Sequence, residues 1–424
     1  MLCKISSSNK KSLPCPAGAN RWLPVLGALQ EGPPDRKTSM IRTLSIFMIN
    51  YDWRDIFRTS FVELKDKLER DQLNPSMNDF FFFSWANVSY VSLEGRFKTI
   101  HKKTRLYSLK PVLDLLTLIS VPFTVKRFKL KPDAWMTYDF GMLPALWLAK
   151  LIFGGKIVLC VSNQPRVYSQ TRRFGAIKGF YSWATEKLWW RLADHFFTIN
   201  ENMKTYLKNI GIPEKYITVF YVNTIDRDLE FITKAKKGVI RTKHAIAPNQ
   251  KVILTVARLE SEKNYPKLLE LFAGLGSGYV LIALGRGSLL EPLNRQAKSL
   301  GIQDRLIFPG FIHRDEIWNY YADADLFVLL SKAEALGLVF WEAMHMDVPV
   351  IGSEADGIVE TIGNDGDRGR IWHDGDSQAG FSERVKFCLT PSQERDAMLK
   401  RAKVFVDKQR TNKITFNDLP IFSK

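Results

Sequence analysis

The chain has 424 residues, 46% hydrophobic and 25% charged, proportions that exclude a disordered or fibrous polymer and leave room for two α/β domains. Sixty-one Lys and Arg against 44 Asp and Glu leave a formal net charge of +17, which points to an anionic partner: nucleic acid, an acidic membrane surface or a phosphorylated substrate. A basic, well-solvated surface accounts for the same surplus.

Residues 1–39 are rich in Ser, Pro, Gly and Lys and read as a disordered extension, with Met40 as the natural start. The apolar run Trp22 to Leu29 is short and holds Pro24 and Gly27, a poor signal-peptide core. No stretch reaches the roughly 18 uninterrupted apolar residues that span a bilayer. Cys3 and Cys15 fall in the extension, and Cys160 and Cys388 stand alone in apolar surroundings. With no Cys-x-x-Cys or His-x-x-x-His spacing, a zinc or redox pair has no support, and a reducing, cytoplasmic compartment fits.

A first strand is predicted at Thr43 to Ile49, then a helix from Ile56 to Leu68 whose apolar residues recur near helical spacing. Phe80 to Trp85, Ala134 to Thr137 and Lys156 to Val161 read as further buried strands, with a helix from Met142 to Phe153 between the last two. Strands alternating with helices predict a parallel sheet covered on both faces. Residues 227–250 are charged and poorly periodic and read as a linker and hinge. A second series of strands follows: Val252–Val256, Val280–Leu284, Arg305–Phe308, Leu326–Leu330 and Val348–Ile351. The fold class is therefore α/β, with two doubly wound Rossmann-like domains, 40–226 and 251–395, facing across a cleft. Residues 396–424 are expected to return to the first domain. Such sheets bind ligands at the carboxyl ends of their strands.

The segment Ser331 to Met344 carries the clearest chemistry. Gly337 stands where the strand must turn into a helix, and a helix N-terminus suits a phosphate. Glu342 lies five residues on, about 7.5 Å along the helix axis, a reach suited to ribose hydroxyls. Glu334 precedes the helix and would face the hexose end of a nucleotide sugar; a solvated capping pair is the simpler reading of two such residues. Arg258 and Lys263 follow the strand Val252–Val256 and could neutralise a diphosphate leaving group, or be ordinary surface charges. Gly285-Arg286-Gly287 permits a close backbone approach, but a lone Gly-x-Gly is weak.

Taken together, these motifs resemble glycosyltransferase family 4, mostly retaining enzymes of GT-B fold. Glu334 and Glu342 match the family's Glu-x7-Glu motif, and Arg258 and Lys263 its cations after the first strand of the donor domain. Asp356 to Glu360 resembles its Gly-Gly-x-x-Glu segment. The likeness covers roughly residues 195–405. It implies diphosphate contacts from Arg258 and Lys263, a sugar contact from Glu334 and a ribose contact from Glu342. The backbone N–H groups of Leu336, Gly337 and Leu338 would also face the donor, and Gly285, from its own Gly-x-Gly, is a further donor-binding candidate. Neither cofactor nor metal is implied, the nucleotide diphosphate sugar being a co-substrate. Ala257 and Asp347 stand where the family usually has Gly; Asp is the better suited of the two to positive φ.

The first half resembles the family's acceptor domain only loosely, in Lys131-Pro-Asp133 and in Asn223 and Asp226. The His that many relatives place after a strand is missing: Val161-Ser162-Asn163-Gln164 and Tyr138-Asp139 stand in its positions. Asp139 and Asn163 are acceptor-side catalytic candidates beside Arg258, Lys263 and Glu334; both also suit ordinary strand-end polar roles. Lys110, Lys126, Arg127, Lys129 and Lys131 flank the apolar run Val112 to Val125. Arg166, Arg172, Arg173, Lys187 and Arg191 interleave with Phe180, Trp183, Trp189 and Trp190. Cations beside exposed apolar groups suit an anionic bilayer, whereas cations flanking a core need no partner. Nucleic acid is disfavoured, since no binding motif accompanies the charge.

The expected function is retaining transfer of a hexose from a nucleotide diphosphate sugar to a lipid-linked or polysaccharide acceptor. The expected location is cytoplasmic, peripheral on the inner membrane face. The alternative is a non-catalytic, membrane-associated nucleotide-sugar-binding module.

Overall fold

The computed structural model describes residues 45–49, 79–86, 90–92, 97–103, 110–161, 175–221, 225–411 and 418–422. The predicted extension, the helix at 56–68, Asn163 and Asn223 lie outside the described residues. Both sheets belong to one compact unit, Thr43–Lys424.

The first sheet has eight strands: β1 (Ser45–Ile49), β2 (Asp79–Ala86), β3 (Tyr90–Ser92), β4 (Phe97–Lys103), β5 (Ala134–Thr137), β6 (Lys156–Val161), β7 (His195–Thr198) and β8 (Ile217–Val219). They lie in the order β3-β4-β2-β1-β5-β6-β7-β8, all parallel except β3, which runs antiparallel to β4. Its helices are α1 (Lys110–Arg127), α2 (Leu143–Phe153), α3 (Gly175–Trp189) and α4 (Glu201–Asn209). Alternation along the strands sends Trp135, Ile157, Leu159 and Phe196 into one apolar cluster and Met136, Val158, Cys160 and Phe197 into another. A period of two requires that of a sheet buried on both faces. The first cluster is closed by inner residues of α1 and α2, among them Val121, Val125, Leu143 and Leu146.

Within 227–250, residues 227–234 belong to α5 (Ile225–Lys234) and residues 239–243 form α6 (Val239–Lys243), with turns between and after them. The carboxylate of Asp323, 1% exposed, caps α6 by accepting from the backbone N–H of Ile240 at 2.7 Å, Arg241 at 3.1 Å and Gly238. The cap comes from a residue more than eighty positions away, so local sequence carries no sign of it.

The second sheet comprises β9 (Lys251–Val256), β10 (Tyr279–Leu284), β11 (Leu306–Gly310), β12 (Leu326–Leu329), β13 (Val350–Ser353) and β14 (Arg370–Trp372). The last strand has no counterpart in the sequence reading, and Val348 precedes β13 rather than opening it. The order is β11-β10-β9-β12-β13-β14, all parallel. Counted within the lobe this is 3-2-1-4-5-6, so the topological switch point lies between β9 and β12. The remaining helices are α7 (Tyr265–Ala273), α8 (Leu290–Ser299), α9 (Arg314–Asp323), α10 (Leu338–His345), α11 (Asp356–Ile362), α12 (Gln378–Leu389) and α13 (Gln393–Thr411). Helix α13 packs on α10, with the rings of Trp341 and Phe405 at 5.7 Å, and Arg410 Nε near its end donates to Asp226 Oδ1 at 2.7 Å. Among the described residues no helix is long and apolar enough to cross a membrane.

Candidate donor site

The loops leaving β9, β10 and β12 meet at the switch point. Leu259 N–H donates to the Arg286 carbonyl at 3.0 Å and Lys332 N–H to the Glu262 carbonyl at 2.8 Å, so the loop after β9 is tied to both neighbours. At Gly285, with φ of 140°, an added Cβ would run into the carbonyl oxygen of Ala257, so these loops can lie this close only with glycine there. Ala257 itself keeps negative φ, whereas Asp347 adopts φ of 58°, the left-handed turn in which Asp is tolerated.

Of the predicted site residues, Lys263 and Glu334 meet directly. Lys263 Nζ donates to Glu334 Oε2 at 2.7 Å across the switch point, and the two side chains are only 14% and 17% exposed. Ser331 Oγ lies 3.4 Å from the same carboxylate oxygen. Arg258 is 65% exposed and donates from Nη2 to Glu262 Oε1 at 2.9 Å, so its guanidinium stands at the rim while Lys263 is held within. Gly337, with φ of 68°, turns the chain into α10, and no side chain caps that helix start. The backbone N–H groups there, with those of Leu336 and Leu338 beside them, present a partial positive charge next to Glu334.

Glu342 has an inward setting that the spacing did not foretell. It is 5% exposed; Oε2 accepts from the Tyr321 hydroxyl at 2.7 Å, and Arg314 Nη2 lies 3.5 Å from Oε1. Arg314 is drawn chiefly to Asp228, to which Nε donates at 2.7 Å. Burial therefore prevails over the guanidinium, and the Glu342 carboxyl is pushed above the ordinary carboxylate range. Tyr321, also buried and facing that carboxylate, is pushed well above the usual phenol value.

Two contacts join the first lobe to the second, one at the loop before α10 and one at α11, and sequence reasoning missed both. Asn200, the cap of α4, accepts from Met203 N–H at 2.6 Å and donates from Nδ2 to the carbonyl of Ala335. Glu360 on α11 accepts from the backbone N–H of Glu201 at 2.9 Å and Asn202 at 3.1 Å, and from the Tyr221 hydroxyl at 2.9 Å. Asparagine just after a strand and immediately before a helical pattern was the available signal for the cap; nothing local signalled its second bond.

On the acceptor side, Asp139 follows β5, and its Oδ1 accepts from Gly141 N–H at 2.8 Å, capping the short turn Phe140–Met142.

Two doubly wound sheets, with the site at the switch point of the second, define a GT-B fold. Solved structures share it. HepE of Anabaena in complex with UDP and glucose superposes with a TM-score of 0.62 at 18% identity, over 86% of this chain and 95% of that one. Sucrose-phosphate synthase of Thermosynechococcus elongatus gives 0.68 at 16% identity, over 86% and 94%. Identities this low speak to fold alone. Residues 236–405 match the profile of a family described as Glycosyl transferases group 1. Among curated proteins, alpha-monoglucosyldiacylglycerol synthase of Streptococcus pneumoniae is 36% identical over 115 residues, 26% of either chain. N-acetyl-alpha-D-glucosaminyl L-malate synthase of Bacillus anthracis is 30% identical over 205 residues, 48% of this chain and 52% of that one. The chain thus spans about half or less of the length of these curated relatives.

Proposed function

We propose that the protein is a glycosyltransferase that moves a hexose from a nucleotide diphosphate sugar to a lipid-linked or saccharide acceptor, with retention at the anomeric carbon. The Lys263–Glu334 pair carries this reading. It brings a cation and a carboxylate from two loops to the switch point, beside the start of α10, where doubly wound sheets bind nucleotides. The profile match over 236–405 supports it.

In this reading Arg258 and Lys263 take the diphosphate, and the backbone N–H groups of Leu336, Gly337 and Leu338 add their dipoles. Gly285 leaves room for the donor. Glu334 accepts from hexose hydroxyls, and Glu342 takes the ribose through Oε1, since Tyr321 holds Oε2. The bond from the anomeric carbon to the diphosphate oxygen breaks as the acceptor hydroxyl bonds to the same face. The departing phosphate oxygen takes the hydroxyl proton, and the two cations stabilise the charge it gains. With those cations as the electrophilic partners, no divalent metal is needed.

The test is incubation with labelled UDP-, GDP- and ADP-hexoses, with and without EDTA, and the product anomer read by NMR. Turnover or hydrolysis of at least one donor, insensitive to EDTA and retaining, is the expected result. One observation favours a second reading: Asp139 is engaged as a turn cap, and no His follows β5 or β6. Nucleotide binding without turnover of any donor would favour the non-catalytic, membrane-associated nucleotide-sugar-binding module. Absence of nucleotide binding would end both.

A further inference from the structure

Helix α1 is apolar on both of its faces. Val121 and Val125 are sealed in the core, yet Leu115 and Ile119 on the opposite side are 63% and 66% exposed. A helix apolar all round is ordinarily buried all round. The neighbouring helices repeat the pattern. On α2, Leu143, Leu146 and Ala149 pack inward while Leu151 is 62% exposed and Trp147 is exposed. On α3, Phe180 and Leu188 are 67% and 68% exposed. Inner residues of α1 and α2 close one apolar cluster with Trp189 of α3, so the three helices cover the same face of the sheet. An apolar surface drawn from three adjacent helices exceeds the scattered exposed residues normal for a soluble surface.

Its charges have one sign. The three helices hold two carboxylates, Asp114 and Glu186, and both are buried. Lys126, Arg127 and Lys129, at and just beyond the end of α1, are exposed, as are Lys187 of α3 and Arg191 just after it. Apolar side chains rimmed by long cationic ones match the interface of an anionic bilayer, where the former enter the acyl boundary and the latter meet headgroup phosphates. A second copy of the chain is a poorer match. It would set the same cations against each other on a protein of net charge +17.

We infer that the outer surface of α1, α2 and α3 is where the protein lies on an anionic lipid bilayer. The inference stands apart from the donor reading, since none of these residues belongs to the donor site.

Flotation of the full chain with phosphatidylglycerol vesicles and with phosphatidylcholine vesicles tests it. The protein should rise with the former and remain behind with the latter. Binding should fall in about 1 M salt, where the screening length is about 3 Å. Lys126→Glu with Arg127→Glu should weaken binding by more than about tenfold, each cation near the surface being worth about fivefold. Leu115→Gln with Ile119→Gln should abolish it, while nucleotide affinity, read by calorimetry, stays that of the parent and certifies the fold. Failure of the parent to float with phosphatidylglycerol overturns the inference. So does light scattering that reveals a dimer dispersed by the Leu115/Ile119 pair, which would make the face an interface between copies.

Discussion

Lys263→Ala tests the donor site most directly. The ammonium is engaged by Glu334 at 2.7 Å, so a diphosphate must share or displace that partner. Net ground-state affinity gained from Lys263 is correspondingly reduced. In the proposed reaction charge accumulates on the leaving phosphate in the transition state, and there the cation would act in full. A charge-assisted hydrogen bond is worth about 1.5–3 kcal/mol, so kcat should fall about ten- to a hundredfold while KM for the donor rises far less. Stability should fall as well, because Glu334 is left 17% exposed without its cation; the loss should stay below the about 3–5 kcal/mol of a fully buried pair. Glu334→Gln in the Lys263→Ala background removes the stranded charge and should restore thermal stability without restoring turnover. Steady-state kinetics and melting curves on the parent, both singles and the double variant suffice. A Lys263→Ala enzyme with the parent's kcat, or a double variant whose activity returns with its stability, would refute the assignment.

Three further outcomes follow from the geometry. Glu342→Gln retains an oxygen for Tyr321 but removes a buried charge, so it should raise the melting temperature at neutral pH while weakening nucleotide binding. The gain should shrink as the pH falls and the parental carboxyl, already raised, takes up its proton. Gly337→Ala forces a left-handed backbone on a residue whose Cβ would stand 2.9 Å from Phe340 Cδ2. A loss of about 1–2 kcal/mol in urea unfolding is expected, with weaker donor binding; unaltered stability would contradict the turn. His195 is buried, with Nε2 at 2.8 Å from Thr218 Oγ1, and burial holds its pKa at about 4 against 6.5 for an ordinary imidazole. The unfolded chain therefore binds the extra proton between those values. Stability should decline as the pH falls from 6.5 toward 4, and His195→Gln should lessen that slope, His345, which burial also lowers to about 4, supplying a further part of it.

The elements around Glu334 were readable because they come in short local patterns. Strand, glycine turn and helix start are all set within Leu326 to Met344, and the cations follow β9 closely enough for one loop to carry them. What went unread is long-range. Asp323 caps α6 from across the lobe, a short helix inside the charged stretch 227–250 that local sequence does not announce. The inward setting of Glu342 depends on Tyr321, Arg314 and Asp228, which no spacing relates to it. On the acceptor side, Asp139 stands at a strand end, where a capping and a catalytic role call for the same residue type; its Oδ1 caps the turn that follows. The apolar run Val112 to Val125 was ambiguous for a related reason: composition cannot say which side of a helix meets the core, whereas the burial of Val121 and the exposure of Ile119 can.

The bond from Asn200 to the Ala335 carbonyl has a thermodynamic corollary. Ala335 lies between Glu334 and the start of α10, so the segment that would grip the donor is fastened to the opposite lobe by the residue that also begins α4. Linkage between two equilibria is reciprocal. If seating a nucleotide sugar shifts the loop in favour of the Asn200 bond, joining of the lobes must raise donor affinity by the same factor. Substrate occupancy and cleft geometry would then form one cooperative system, with Asn200 setting the gain between them.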